Sequence, residues 1–116
     1  MLRILIIDDD VQIRTILREL LGDEGHEVIE ASDGIEGIRL YREKSADLVM
    51  PKKDGLETIM DLKIEFPEVK IIAISGGGRF EPEPYLQLAE GFGALRLLTK
   101  PFKIEQLSKA IRKVLG

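Results

Sequence analysis

At 116 residues the chain fits one domain, residues 1–116, with 44% hydrophobic residues to build a core and 33% charged residues to solvate its surface. A net charge of −4 argues against a binder of nucleic-acid phosphates, which needs a basic face. The absence of cysteine excludes disulfides and thiolate metal sites. The apolar opening, residues 2–7, is too short for a signal peptide or a membrane span, so the expectation is a soluble, cytoplasmic protein.

Two periodicities alternate along the chain. Residues 2–7 form an apolar run that stops at Asp8 and predicts a buried strand. Val11, Ile13, Ile16, Leu17, Leu20 and Leu21 then recur at helical spacing, with Gly22 as a stop. Residues 27–31 predict a second strand. Ile35, Ile38 and Tyr41 mark one face of a second helix, capped by Ser32 or Asp33. Residues 46–50 are a short apolar piece. Leu56, Ile59, Met60 and Ile64 stripe a third helix that ends before Pro67. Residues 70–75 hold the clearest buried strand, and 76–84 a Gly/Pro-rich loop. A fourth helix is predicted over 85–90, a fifth strand over 94–98, and a last helix carrying Ile104, Leu107, Ile111 and Val114. Strict alternation of strand and helix implies a parallel sheet covered on both faces. Ligands of such sheets bind beyond the carboxyl ends of the strands.

At those ends lie Asp8, Asp9 and Asp10 after the first strand, Ser75 after the fourth, and Lys100 after the fifth. Crowded carboxylates suit a hard divalent cation such as Mg²⁺. A lysine supplies charge, and a serine a hydrogen bond, to a phosphoryl oxygen. Each residue alone has a plainer reading. Adjacent aspartates after a strand more often cap a helix, and Asp54-Gly55 is an ordinary turn. The weight comes from their meeting at one sheet edge, where they describe a site for phosphoryl transfer.

In the order and spacing of Ile6-Ile7-Asp8-Asp9-Asp10, Met50-Pro51-Lys52-Lys53-Asp54-Gly55, Ile74-Ser75 and Lys100-Pro101-Phe102, the chain resembles the receiver domains of bacterial response regulators. The resemblance spans nearly its whole length. It implies an α/β, flavodoxin-like (βα)5 fold, a doubly wound parallel sheet of order 2-1-3-4-5. It also implies Mg²⁺ held by Asp8 and Asp9, Lys100 paired with the phosphoryl group, and Ser75 as the switch hydroxyl. The implied function is that of a stand-alone two-component signalling switch rather than an enzyme. It would be phosphorylated by a sensor histidine kinase or phosphotransfer protein. Its output would pass to a downstream protein through the fourth helix, fifth strand and fifth helix, residues 85–115, with neither nucleic acid nor membrane as partner.

The pattern breaks at the acceptor. Asp47 stands four residues before Pro51, the family's spacing for the phosphoacceptor. Yet only Ser45 and Ala46 separate it from the end of the second helix near Lys44, where a full strand of about five residues is expected. Two alignments remain open. In one, Asp47 is the acceptor and residues 42–46 serve as strand. In the other, Asp47-Leu48-Val49 opens the third strand, and the rest, acceptor included, is missing. The second gives a truncated strand three, a stub of about three to four residues. Lowered stability, recruitment of the end of the second helix as strand, or a dimer through exchanged elements would follow.

A pseudo-receiver, an interaction module that takes no phosphoryl group, is therefore the alternative function. A flavin carrier on the same topology would need a phosphate-cradling loop where three aspartates stand, and an acid-phosphatase-type hydrolase would need a cap domain. Leu97 stands where the family often has an aromatic. His26 reads as a surface residue.

Overall fold

The computed structural model describes residues 1–51, 56–75, 95–99 and 103–115. Within them the order is β1 (Arg3–Ile7), α1 (Val11–Asp23), β2 (Glu27–Ala31), α2 (Gly34–Lys44), β3 (Leu48–Pro51), α3 (Leu56–Glu65), β4 (Ile71–Ser75), β5 (Leu95–Thr99) and α4 (Ile104–Leu115). The last is the fifth helix of the sequence reading. The expected loop at 76–84 and helix at 85–90 lie outside the described residues.

The strands form one sheet of order β2-β1-β3-β4-β5, and every pairing is parallel. Side chains alternate between its faces, so each inner strand must be apolar on both. Ile4 and Ile6 of β1, Leu48 and Met50 of β3, and Ile72 and Ile74 of β4 pack with Leu17 and Leu21 of α1 and Leu107, Ile111 and Val114 of α4. Leu5, Ile7, Val49, Ile71 and Ala73 face the other way, onto Ile59 and Leu62 of α3. This two-sided burial holds β1 and β3 at the centre. Among the described residues no helix is long and apolar enough to cross a membrane.

The second helix keeps its helical form through Lys44, so its end is not recruited as strand. Strand three begins at Leu48, not at residue 46, and its four residues are all buried. Pairing of Ile4 through Ile7 with Leu48 through Pro51 covers most of β1. The pairing continues one residue further by a different route: the Asp47 N–H donates to the Arg3 carbonyl, and the Arg3 N–H donates to Asp47 Oδ2, each at 2.8 Å. The short strand thus leaves β1 satisfied at this end. Pro51 closes a central strand, where its missing N–H removes a ladder donor.

Helix faces differ from the sequence stripes in places. Met60 and Ile64 of α3 are exposed while Lys63 is buried. The Lys63 stem crosses the helix–sheet seam and its Nζ donates to the Val69 carbonyl at 2.7 Å. Burial, with Lys70 nearby, holds its ammonium below the ordinary lysine range. Gly37 of α2 faces Ile7 so closely that a Cβ there would lie 2.3 Å from Ile7 Cδ1. The absence of a side chain lets α2 settle on the end of β1.

Candidate functional site

The acid turn grows directly out of β1. Asp8 follows the last strand residue and is 4% exposed, while Asp9 and Asp10 are exposed. Every backbone handle of Asp8 is engaged: its N–H donates to the Ala31 carbonyl at 3.0 Å, and its carbonyl accepts from Arg14 Nη1 at 2.7 Å. Its Oδ1 accepts the Asp10 N–H at 2.9 Å, an Asx-type turn that redirects the chain into α1. Asp10 is the N-cap, accepting from the N–H groups of Gln12 at 2.9 Å and Ile13 at 3.4 Å. The plain capping reading therefore applies to the third aspartate, Asp10.

Two adjacent carboxylates at a strand end suit a hydrated Mg²⁺, which binds through one or two carboxylates and retains several waters. Among the described residues no three acidic, histidine or cysteine side chains converge, so these residues would supply few of the six ligands. The residues fit a water-rich cation corner on Asp8 and Asp9.

The other expected members are distributed unevenly. Ser75 ends β4 in register with Thr99 of β5, at the same carboxyl edge as the acid turn. Lys100 lies outside the described residues, one position beyond Thr99 in the chain. Asp47 lies at the opposite edge. It precedes β3 and is bonded to Arg3, five residues ahead of Asp8 on β1, a separation of about 16 Å at roughly 3.3 Å per residue. Residues 42–46 do not serve as strand: α2 runs through Lys44 and strand three opens at Leu48, directly after Asp47. The position one step beyond Pro51 carries a lysine in the sequence, not a carboxylate.

What surrounds Asp47 is a latch between elements. Arg3 donates from Nη1 to the Lys44 carbonyl at the end of α2 (2.9 Å) and from Nε to Glu27 of β2 (2.6 Å). Met1, Arg3, Glu27, Ser45, Ala46 and Asp47 line a polar hollow of about 260 Å³ at this edge. Tyr41 of α2 is close enough that burial first, and the Asp47 carboxylate second, push its hydroxyl pKa up. His26 is also structural, its Nδ1 accepting the Leu2 N–H at 3.2 Å.

Two residues absent from the sequence reading matter here. Arg14 reaches Glu30 of β2 at 3.3 Å as well as the Asp8 carbonyl, and Arg18 bonds the second Glu30 oxygen at 2.8 Å. Their spacing, one helical turn apart on α1, was the available signal, because a 2-1-3 strand order turns that face toward β2.

Comparison with known proteins agrees with this architecture. The response regulator receiver domain family matches residues 4–112. Sporulation initiation phosphotransferase F of Bacillus subtilis is 29% identical over 97% of this chain and 93% of its own length. Chemotaxis protein CheY of Listeria monocytogenes is 32% identical over 97% and 98%. The crystal structure of a response regulator receiver domain protein from Clostridium thermocellum superposes with a TM-score of 0.85 at 30% identity, covering 99% of this chain and 94% of that one. With the sheet order, the acid turn and the matched span in agreement, the chain belongs to the response regulator receiver domain family.

Proposed function

We propose that this chain is a receiver-type signalling module that keeps a divalent-cation corner on Asp8 and Asp9 but takes no phosphoryl group on Asp47. One observation carries the reading: Asp47 is bonded to Arg3 at the amino edge of the sheet, about 16 Å along β1 from the acid turn. Aspartyl phosphorylation needs an acceptor within reach of the cation that neutralises the incoming group. Asp47 is spent instead on the β1–β3 ladder. With no acceptor there the module performs no turnover and works by protein contacts. Its partners are a histidine kinase or phosphotransfer protein and a downstream protein, with β5 and α4 contributing the described part of the contact face.

In such a module Asp8 and Asp9 would hold Mg²⁺, which when bound neutralises charge at the carboxyl edge. Asp8 keeps the turn folded and Asp10 starts α1, and β4 ends at Ser75 on the same edge. Intact-mass analysis after acetyl phosphate and Mg²⁺ treatment tests the reading, with Asp47→Asn in parallel. The expected result is no phosphoryl increment on Asp47. An increment that maps to Asp47 and disappears in Asp47→Asn overturns it. An increment that maps to another aspartate restores the Mg²⁺-dependent phosphorylation switch with a different acceptor.

A further inference from the structure

We infer that Arg14 is the positioning residue of the cation corner: it sets the Asp8–Asp9 peptide plane and thereby the direction of the Asp9 carboxylate. The inference rests on the proposed cation corner and adds a residue to it. Arg14 Nη1 donates to the Asp8 carbonyl at 2.7 Å. That oxygen belongs to the planar peptide joining the two acids, so holding it fixes the path of the chain into Asp9. The Asp8 N–H is held by Ala31 and Asp8 Oδ1 by the Asp10 N–H, and the Arg14 bond to the carbonyl adds a third hold on the turn. The guanidinium is itself braced. Its Nε meets Glu30 Oε1 at 3.3 Å, and the other Glu30 oxygen is held by Arg18 at 2.8 Å.

The braced group is largely shielded, with the Arg14 side chain 18% exposed. An arginine suits this post because its planar fork serves two acceptors at once, the carbonyl of β1's exit and the carboxylate of β2. A lysine in its place would reach one of the two. The positive charge cuts against cation binding by repulsion, whereas the positioning favours it. The two roles therefore predict opposite signs.

The experiment is a Mg²⁺ titration of the whole chain followed through the Asp9 and Asp10 amide signals, for wild type, Arg14→Ala and Arg14→Lys. Amide hydrogen exchange of Asp10 is measured alongside in metal-free protein. Arg14→Ala is expected to weaken Mg²⁺ binding by about tenfold, the scale of losing an outer-shell partner, and to speed Asp10 exchange. Arg14→Lys is expected to recover part of both. Tighter binding by Arg14→Ala overturns the inference in favour of simple charge repulsion. Unchanged affinity and exchange with a lower melting temperature reduce Arg14 to a structural brace. If wild type binds Mg²⁺ and Arg14→Ala binds it equally, this inference alone falls. If wild type does not respond to Mg²⁺, the cation corner falls and the inference with it.

Discussion

Ser45 holds its backbone at φ 52° and ψ 169°, a region that only glycine occupies without strain. It is the C-cap of α2, and its N–H donates to the Tyr41 carbonyl at 2.8 Å. The cause is the brevity of the connection, since the chain leaves α2 at Lys44 and must enter the buried β3 at Leu48. Arg3 helps by capping the Lys44 carbonyl, and Asp47 by taking the Arg3 N–H. Ser45→Gly should therefore stabilise the protein by about 1 kcal/mol, read as a higher urea midpoint at unchanged slope. A midpoint that falls would mean the Ser45 side chain contributes more than its backbone costs. The same residues bear on the two alignments that the sequence left open at Asp47. The spacing from Asp47 to Pro51 is a local match, but backbone pairing with Arg3 and burial of Leu48 decide where the strand starts. Arg14 and Lys63 were not legible for a related reason. A charged residue announces solvent by type, and only the fold discloses a carbonyl within its reach.

At the scale of elements, most of the fold was legible because most elements follow one rule each. The apolar runs of β1 and β4 read as buried strands since both of their faces are covered. Asp33 was one of two candidate caps for α2, and it accepts the Glu36 N–H at 2.8 Å. Strand three is the exception. Its core residues Leu48, Val49 and Met50 are fully buried, yet the strand ends in a proline. A central parallel strand normally continues as an apolar run with all its N–H groups available, so Pro51 sits where a donor is wanted. Inserting about five residues between Val49 and Met50, apolar at first and with an aspartate third, places that aspartate four residues before Pro51 and should return the strand to ordinary length. The expected outcome is a raised melting temperature together with acetyl phosphate labelling of the new aspartate. If stability and labelling both stay as they were, the short strand is fully compensated and the carboxyl edge lacks more than an acceptor.

The molecule as a whole has two chemically distinct ends separated by the length of β1. The carboxyl edge carries Asp8 and Asp9, braced through Arg14 and Glu30. The amino edge carries Arg3, Glu27, Ser45 and Asp47. Both are anchored on β1 and β2, so a rigid sheet could in principle couple them. Close-packed cores do transmit strain, but coupling requires an element with two arrangements. Paired on both sides, with Ile4 through Ile7 buried, β1 offers a single one. Changes at sites more than about 7–10 Å apart without shared partners add to within about 0.5 kcal/mol. Binding of Mg²⁺ to the native state alone stabilises by mass action, about 1.4 kcal/mol at ten times its dissociation constant. That gain should be the same in wild type and in Ser45→Gly, measured by urea denaturation with and without Mg²⁺ at matched ionic strength. A difference beyond about 0.5 kcal/mol would show that strain at the α2–β3 junction reaches the acid turn. The amino-edge latch would then set the affinity of the cation corner, and the shortened strand would be a regulatory feature of the sheet.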